Sequence, residues 1–212
     1  MTRNIVCMKW GTKFPASDVN RLYSMVRRHM DEPFRFVCFT DDPAGLHGEI
    51  EAAPIPDVGW HHEPDINDRG WKKIGLFAED LGLEGDALFL DLDVIVMRSL
   101  APFFEQPGEI VLIRDYRLMR VRGDYFVGNT SVLRFPVGRY PELLDRFRRE
   151  FPKIRREVRN EQEYVSHYFR EKGLLAYWPK SWCPSFKYHC VRWGPMSYFM
   201  TPQEPVDARI VV

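Results

Sequence analysis

The run Asp86-Ala-Leu-Phe-Leu-Asp91-Leu-Asp93-Val-Ile-Val-Met97 places two carboxylates, one residue apart, in an otherwise apolar stretch. A run this short and this apolar reads as a strand buried on both faces, as in a parallel sheet. Residues i and i+2 of a strand point the same way, so the spacing predicts that Asp91 and Asp93 stand side by side. Adjacent carboxylates in an apolar setting repel each other and are costly to desolvate. A divalent cation removes that cost, and hard oxygen donors suit Mg²⁺ or Mn²⁺. Such a metal at the carboxyl end of a parallel strand commonly has a phosphate-bearing ligand as its other partner. The competing reading is two aspartates facing solvent or capping a turn, and the apolar flanks weigh against it.

The elements around this pair follow from hydrophobic spacing. Residues 4–9 read as a first strand. Ser17 can cap a helix whose apolar positions are Val19, Leu22, Tyr23, Val26 and Met30. Residues 34–39 read as a second strand ending at Thr40-Asp41-Asp42-Pro43, and residues 50–55 as a weaker third. Trp71, Ile74, Ala78 and Leu81 recur as a helix face before the Asp-x-Asp strand. Strand alternating with helix predicts a parallel sheet with helices on its faces, with ligands at the carboxyl ends of the strands. Trp10-Gly11-Thr12, Thr40-Asp41-Asp42 and Asp91-Leu92-Asp93 would then border one crevice. The second half is mixed: strands over 109–115, 125–135 and 174–178, and helices over 141–151 and 161–171. Residues 207–212, Asp-Ala-Arg-Ile-Val-Val, have strand composition and stop without a polar exit, which reads as a truncated form of a longer protein.

The 212 residues suit one domain, 1–212, with halves at 1–98 and 99–212, and 45% hydrophobic content supports a substantial core. Thirty basic residues balance thirty acidic ones, which argues against a nucleic-acid binder. Arginine clusters over 114–122 and 146–159 could meet an acidic acceptor or a membrane surface, and for the second a solvated helix face is the simpler account. Cys7 and Cys38 read as small buried hydrophobes, and Cys183, His189 and Cys190 do not complete a zinc site. Reduced thiols, no leader peptide and no run of membrane-spanning length predict a cytoplasmic protein, with peripheral membrane contact open. His61-His62-Glu63-Pro64-Asp65 looks like a ligand cluster but lacks regular spacing, and reads as a polar loop or lid.

Taken in order, several segments resemble one family. They are Lys9-Trp-Gly-Thr-Lys13, Phe36-Val-Cys-Phe-Thr-Asp-Asp42, Gly70-Trp-Lys-Lys-Ile-Gly-Leu-Phe77 and Phe89-Leu-Asp-Leu-Asp93. Gly128-Asn-Thr-Ser-Val-Leu133, Glu161-Gln162 and Ser185-Phe-Lys-Tyr-His189 follow. The chain resembles bacterial glycosyltransferases of the GT-A fold, and among them the glycogenin-like family 8 and its relatives. The resemblance implies an α/β fold with a Rossmann-like, mostly parallel central sheet flanked by helices, and a mixed C-terminal half. It implies a nucleoside-diphosphate sugar as donor, UDP before GDP, with Asp91 and Asp93 holding Mn²⁺ or Mg²⁺ at the diphosphate. Trp10, Gly11 and Thr12 match the loop along the nucleoside, and Thr40 and Asp41 the strand end that meets the base. Lys72 or Lys73 takes the place of the basic residue facing the donor. Asn129 and Ser131 match the segment at the sugar, and Glu161 and Gln162 an acidic residue and Gln at the sugar and reaction centre.

The match departs from the family in two places. Glu161 stands where relatives have Asp, and the relatives' third metal ligand, a His after a late strand, would follow Val212, leaving His189 as the alternative within the chain. The implied reaction is metal-assisted sugar transfer, with retention, to a hydroxyl of an unknown glycan or lipid-linked acceptor. Two other classes share features of the chain. A haloacid-dehalogenase-type phosphohydrolase also places Asp-x-Asp after an apolar strand, normally the first strand, with a Thr where Ile95 stands here. A non-catalytic nucleotide-sugar-binding domain would need no third ligand.

Overall fold

Ile5-Val6-Cys7-Met8 shows how the sheet is built. Ile5 and Cys7 enter one apolar core and Val6 and Met8 another, so the strand is buried on both faces. The computed structural model describes residues 3–59, 70–116, 125–191 and 199–212. Within them, β1 (Arg3–Lys9), α1 (Ala16–Arg28), β2 (Phe34–Thr40) and β3 (Glu51–Ala53) come first. A 3₁₀ helix (Trp71–Phe77), β4 (Asp86–Leu90), β5 (Ile95–Val96) and α2 (Ala101–Glu105) follow. The second half has β6 (Ile110–Arg114), β7 (Gly128–Pro136), α3 (Pro141–Glu157), α4 (Glu161–Glu171) and β8 (Leu175–Tyr177), then a π turn (Phe186–Cys190) and β9 (Ile210–Val211).

Seven strands form one sheet in the order β3-β2-β1-β4-β7-β6-β8. β1 pairs in parallel with β2 and β4, and β2 with β3, while β7 runs antiparallel to both β4 and β6. The sheet is therefore mostly parallel and draws strands from both halves of the chain. α1 packs Val19, Leu22, Tyr23 and Val26 on one face, with β1 residues Ile5 and Cys7. The 3₁₀ helix, α3 and α4 cover the other, where Trp71 lies against Phe147 at 5.5 Å and Phe77 against Phe169 at 5.3 Å. The strand order reverses between β1 and β4, because the chain winds outward to β3 and then returns past β1. A crevice opens at the carboxyl ends of strands at such a point.

Four sequence expectations change in detail. Ser17 is not a cap: the helix begins at Ala16 after Pro15 with no side-chain cap, and Met30 lies beyond its end though buried. The helix expected over 71–81 is a 3₁₀ helix that ends at Phe77. Trp71, Ile74 and Phe77 recur every third position, the 3₁₀ period, with Gly75 and Leu76 buried beside them. Asp91 and Asp93 are not in a strand, since β4 stops at Leu90 and a turn carries both aspartates into β5. Helix α3 runs through Pro152 to Glu157, past the expected stop near 151. Residues 207–212 are extended at their end, where β9 pairs antiparallel with β5 (Ile95 with Val211, Val96 with Ile210). Among the described residues, no helix is long and apolar enough to cross a membrane.

Candidate functional site

At the carboxyl end of β4, backbone pairing continues one residue past the strand, with Asp91 N–H donating to Ser131 O at 2.9 Å. The chain then turns, and Asp91, Leu92 and Asp93 line a cavity of about 280 Å³. Met8 and Trp10 at the end of β1, Lys13 and Phe14 beyond it, Gly70 and Lys73 of the 3₁₀ segment, and Glu161 and Gln162 opening α4 complete the lining. Residues some 150 positions apart thus face one another across the β1/β4 switch point.

A buried charge relay forms the floor. Lys73 Nζ stands 2.6 Å from Asp91 Oδ1 and 3.9 Å from Glu161 Oε1. The side chains of Lys73, Asp91 and Glu161 are 14%, 22% and 3% exposed. Burial alone lowers the Lys73 pKa, but the Asp91 carboxylate and then Glu161 more than offset it, so the ammonium is held above its usual range. Burial raises the Glu161 pKa, and neither Lys73 nor its hydrogen bond from Thr130 fully offsets that. The Lys73 ammonium also lies 5.1 Å from the centre of the Phe89 ring, within cation–π range.

Two residues absent from the sequence-derived set place Glu161: Thr130 binds it and Gly70 makes room for it. Thr130, 1% exposed, donates its hydroxyl to Glu161 Oε1 at 2.5 Å. Gly70, at φ +80°, leaves its α-carbon bare against the carboxylate: a β-carbon there would stand 3.1 Å from Glu161 Oε2. Thr130 reaches this position through an irregularity in β7. Val111 of β6 pairs with Arg134, whereas Ile113, two residues on, pairs with Asn129, five residues back. Bulges of this kind re-aim side chains beside functional sites. Composition does not announce a bulge, but Gly70 carried a signal: a glycine directly before a helical apolar pattern.

The expected residues divide by position. Trp10, Lys73, Asp91, Asp93, Glu161 and Gln162 line the cavity. Of the two lysines, Lys73 faces it while Lys72 sits over the Trp10 ring at 5.6 Å, because consecutive residues of a 3₁₀ helix point a third of a turn apart. Gly11, Thr12, Thr40 and Asp41 are outside the lining but adjoin it: Gly11 N–H donates to Asp41 Oδ2 at 2.9 Å, tying the β1 and β2 ends together. Thr40 Oγ donates to Asp42 O, which also accepts from buried Lys9. Asn129 and Ser131 lie outside the lining as well, with Asn129 Oδ1 accepting Ser131 N–H at 2.7 Å inside the bulge. His189 is outside too: its Nδ1 accepts from Ser185 N–H, and its ring meets Tyr116 edge-on. Residues 61–65 and the arginines at 117, 120 and 122 lie outside the described residues.

Among the described residues, no three His, Cys, Asp or Glu side chains form a group able to hold a metal. His189 therefore does not join Asp91 and Asp93. The donor chemistry still fits a hard cation of the Mg²⁺ type, which often takes one or two protein carboxylates and fills its other positions with water and phosphate. Asp93 is exposed at the rim, and Asp91 has one oxygen committed to Lys73. A larger groove, about 1250 Å³, opens at the opposite ends of the strands. Its arginines are paired, Arg3 with Glu32 and Arg35 with Glu51, both at 2.7 Å.

The architecture and the crevice at the switch point define a GT-A-type glycosyltransferase fold. The galactosyltransferase LgtC, solved in complex with donor and acceptor sugar analogs, superposes with a TM-score of 0.69 at 16% identity, over 98% of this chain and 86% of that one. The glycosyltransferase GlyE of Streptococcus pneumoniae gives 0.65 at 15% identity, over 99% of this chain and 54% of that one. No protein-family model and no curated protein sequence matches the chain.

Proposed function

We propose that this protein transfers a sugar from a nucleoside-diphosphate sugar, UDP-linked before GDP-linked, to the hydroxyl of a glycan or lipid-linked acceptor, with retention. One observation carries the reading. In a GT-A-type fold, Lys73, Asp91, Asp93, Glu161 and Gln162 converge on one cavity at the carboxyl ends of parallel strands. Asp91 and Asp93 would hold Mn²⁺ or Mg²⁺, whose chemistry is Lewis-acid neutralisation of the charge that develops on the leaving diphosphate. Lys73 adds a positive charge on the same side. Trp10 offers an aromatic wall to the nucleoside, and the Gly11–Asp41 hydrogen bond fixes the loops beside it. Gln162, at the first turn of α4, faces the reacting centre, where its amide can orient the sugar or the acceptor hydroxyl. Asn129 shapes the β7 bulge, which aims Thr130 at Glu161. The resemblance of the sequence motifs to family 8 favours retention, with attack from the leaving-group face or through a protein nucleophile.

A thermal-shift panel tests the reading. UDP-sugars or UDP at about a hundred times their Kd, with Mn²⁺, should raise the melting temperature by on the order of 5 °C. Phosphate monoesters should not. Asp91→Asn and Asp93→Asn should each abolish the Mn²⁺-dependent part of the shift. Asp93 is exposed in the turn, so its variant should leave stability unchanged, whereas Asp91→Asn also takes the near carboxylate from Lys73 and should lower the unliganded melting temperature. A shift with monoesters alone would point to a phosphohydrolase.

A further inference from the structure

We propose that Lys73 is the resident counter-ion of Asp91 and makes divalent-cation binding at Asp91 and Asp93 conditional on the arrival of a nucleoside diphosphate. This rests on the donor-site reading above. The Lys73 ammonium occupies Asp91 Oδ1 at 2.6 Å, on a carboxylate that a cation needs. The pair is largely shielded from solvent, so screening does little to soften the repulsion between an ammonium and a divalent ion sharing one carboxylate. A second seat exists. Glu161 Oε1 lies 3.9 Å from the same nitrogen, Thr130 holds that carboxylate in place, and Gly70 leaves room for it. A diphosphate entering the cavity brings further anionic oxygens within reach of Lys73. The ammonium then leaves Asp91, and both aspartates turn to the cation. By linkage, diphosphate and metal each raise the other's affinity by the same factor.

The test titrates Mn²⁺ into the full chain by calorimetry, with and without saturating UDP. Without UDP, Lys73→Met should bind Mn²⁺ roughly tenfold tighter than wild type, within the usual range of coupling between sites. UDP should then improve Mn²⁺ affinity far less in this variant than in wild type. Lys73→Arg, which keeps the charge, should behave as wild type. If circular dichroism shows Lys73→Met unfolded, Lys73→Gln replaces it with the same expectation. Mn²⁺ affinity in the neutral variant equal to or below wild type, including no measurable binding in either, overturns the proposal. UDP binding in the same titrations separates the two failures. If wild type does not bind UDP with or without Mn²⁺, the donor-site reading falls and this proposal with it. If UDP binds but the neutral variant leaves Mn²⁺ affinity unchanged, only the role of Lys73 falls.

Discussion

Glu161 is a carboxylate at 3% side-chain exposure whose neighbours are Lys73 at 3.9 Å and the Thr130 hydroxyl. A buried carboxylate that loses a donor keeps its desolvation cost without the compensating bond. Thr130→Val removes that donor at nearly constant volume. It should lower unfolding free energy by about 1–3 kcal/mol in urea titrations, while Thr130→Ser, which keeps the hydroxyl, should cost well under half of that. Equal stability of the two variants would show that the hydroxyl is not what holds the carboxylate. Within 128–133 the family resemblance points to Asn129 and Ser131. The bulge in β7 selected Thr130 instead, and a register shift of this kind arises from pairing between strands rather than from the strand's own sequence.

At the scale of elements, the edge strand β3 depends on a clamp. Arg35 on β2 grips Glu51 at the start of β3 through two bonds, at 2.9 and 2.7 Å, and donates a third to Gly82 O before β4. Hydrogen bonding from Arg35, against a smaller effect of burial, lowers the Glu51 pKa. A carboxylate whose folded pKa lies below its unfolded value stabilises the protein above the unfolded pKa, near 4.3. That contribution is lost as the pH falls through the folded value. Both side chains are more than a third exposed, so solvent screening limits the ion pair to about 0.2–1 kcal/mol. Arg35→Gln should therefore shift the urea midpoint modestly at pH 7, and by less as the pH falls and Glu51 takes up its proton. A shift of the same size at every pH would assign the effect to the Gly82 contact instead. The 3₁₀ helix teaches a related point. Trp71, Ile74 and Phe77 recur at i+3, and that spacing also suits one face of an α-helix. Backbone bonds to the third residue back mark the tighter form, Lys73 N–H to Gly70 O at the entry and Ala78 N–H to Gly75 O at the exit.

At the scale of the molecule, the last described strand returns to the site. β9 pairs with β5, which leaves the Asp-x-Asp turn directly, and Met97 and Arg98 donate their backbone N–H groups to Arg209 O. Ile210 is fully buried in the core shared with α1 and β1. Ile210→Ala should cost about 2–4 kcal/mol by urea unfolding, as expected for a buried aliphatic side chain whose cavity cannot fully collapse. Because β5 anchors the far side of the turn, UDP affinity with Mn²⁺ should also fall at temperatures where the variant remains folded. Unchanged nucleotide affinity would mean that the turn is held by β4 and Leu92 without the ribbon.

The sequence by itself determined the strand–helix order of the first hundred residues, the parallel sheet and the Asp-x-Asp pair. These rest on local patterns: apolar runs, period-2 and period-3 spacing, and a polar interruption of known chemistry. Residues 161–171 form a helix over the expected span, and the structure adds the reason for its sharp start: Asn160 caps it through Glu163 N–H. What only the tertiary structure decided was which groups meet. The aspartates project from a turn rather than a strand because β4 stops at Leu90 and the chain turns back into β5, which pairs with β9 instead of the main sheet. Lys73 rather than Lys72 reaches Asp91 because consecutive helical residues point to different sides, and the packing of the helix decides which side faces the cavity. Glu161 is the buried end of a charge relay, not an outward carboxylate, because Gly70 and Thr130 make room for it and bind it. Each of these depends on residues tens of positions apart, and hydrophobic periodicity carries no information about charge pairs that form only when the sheet closes.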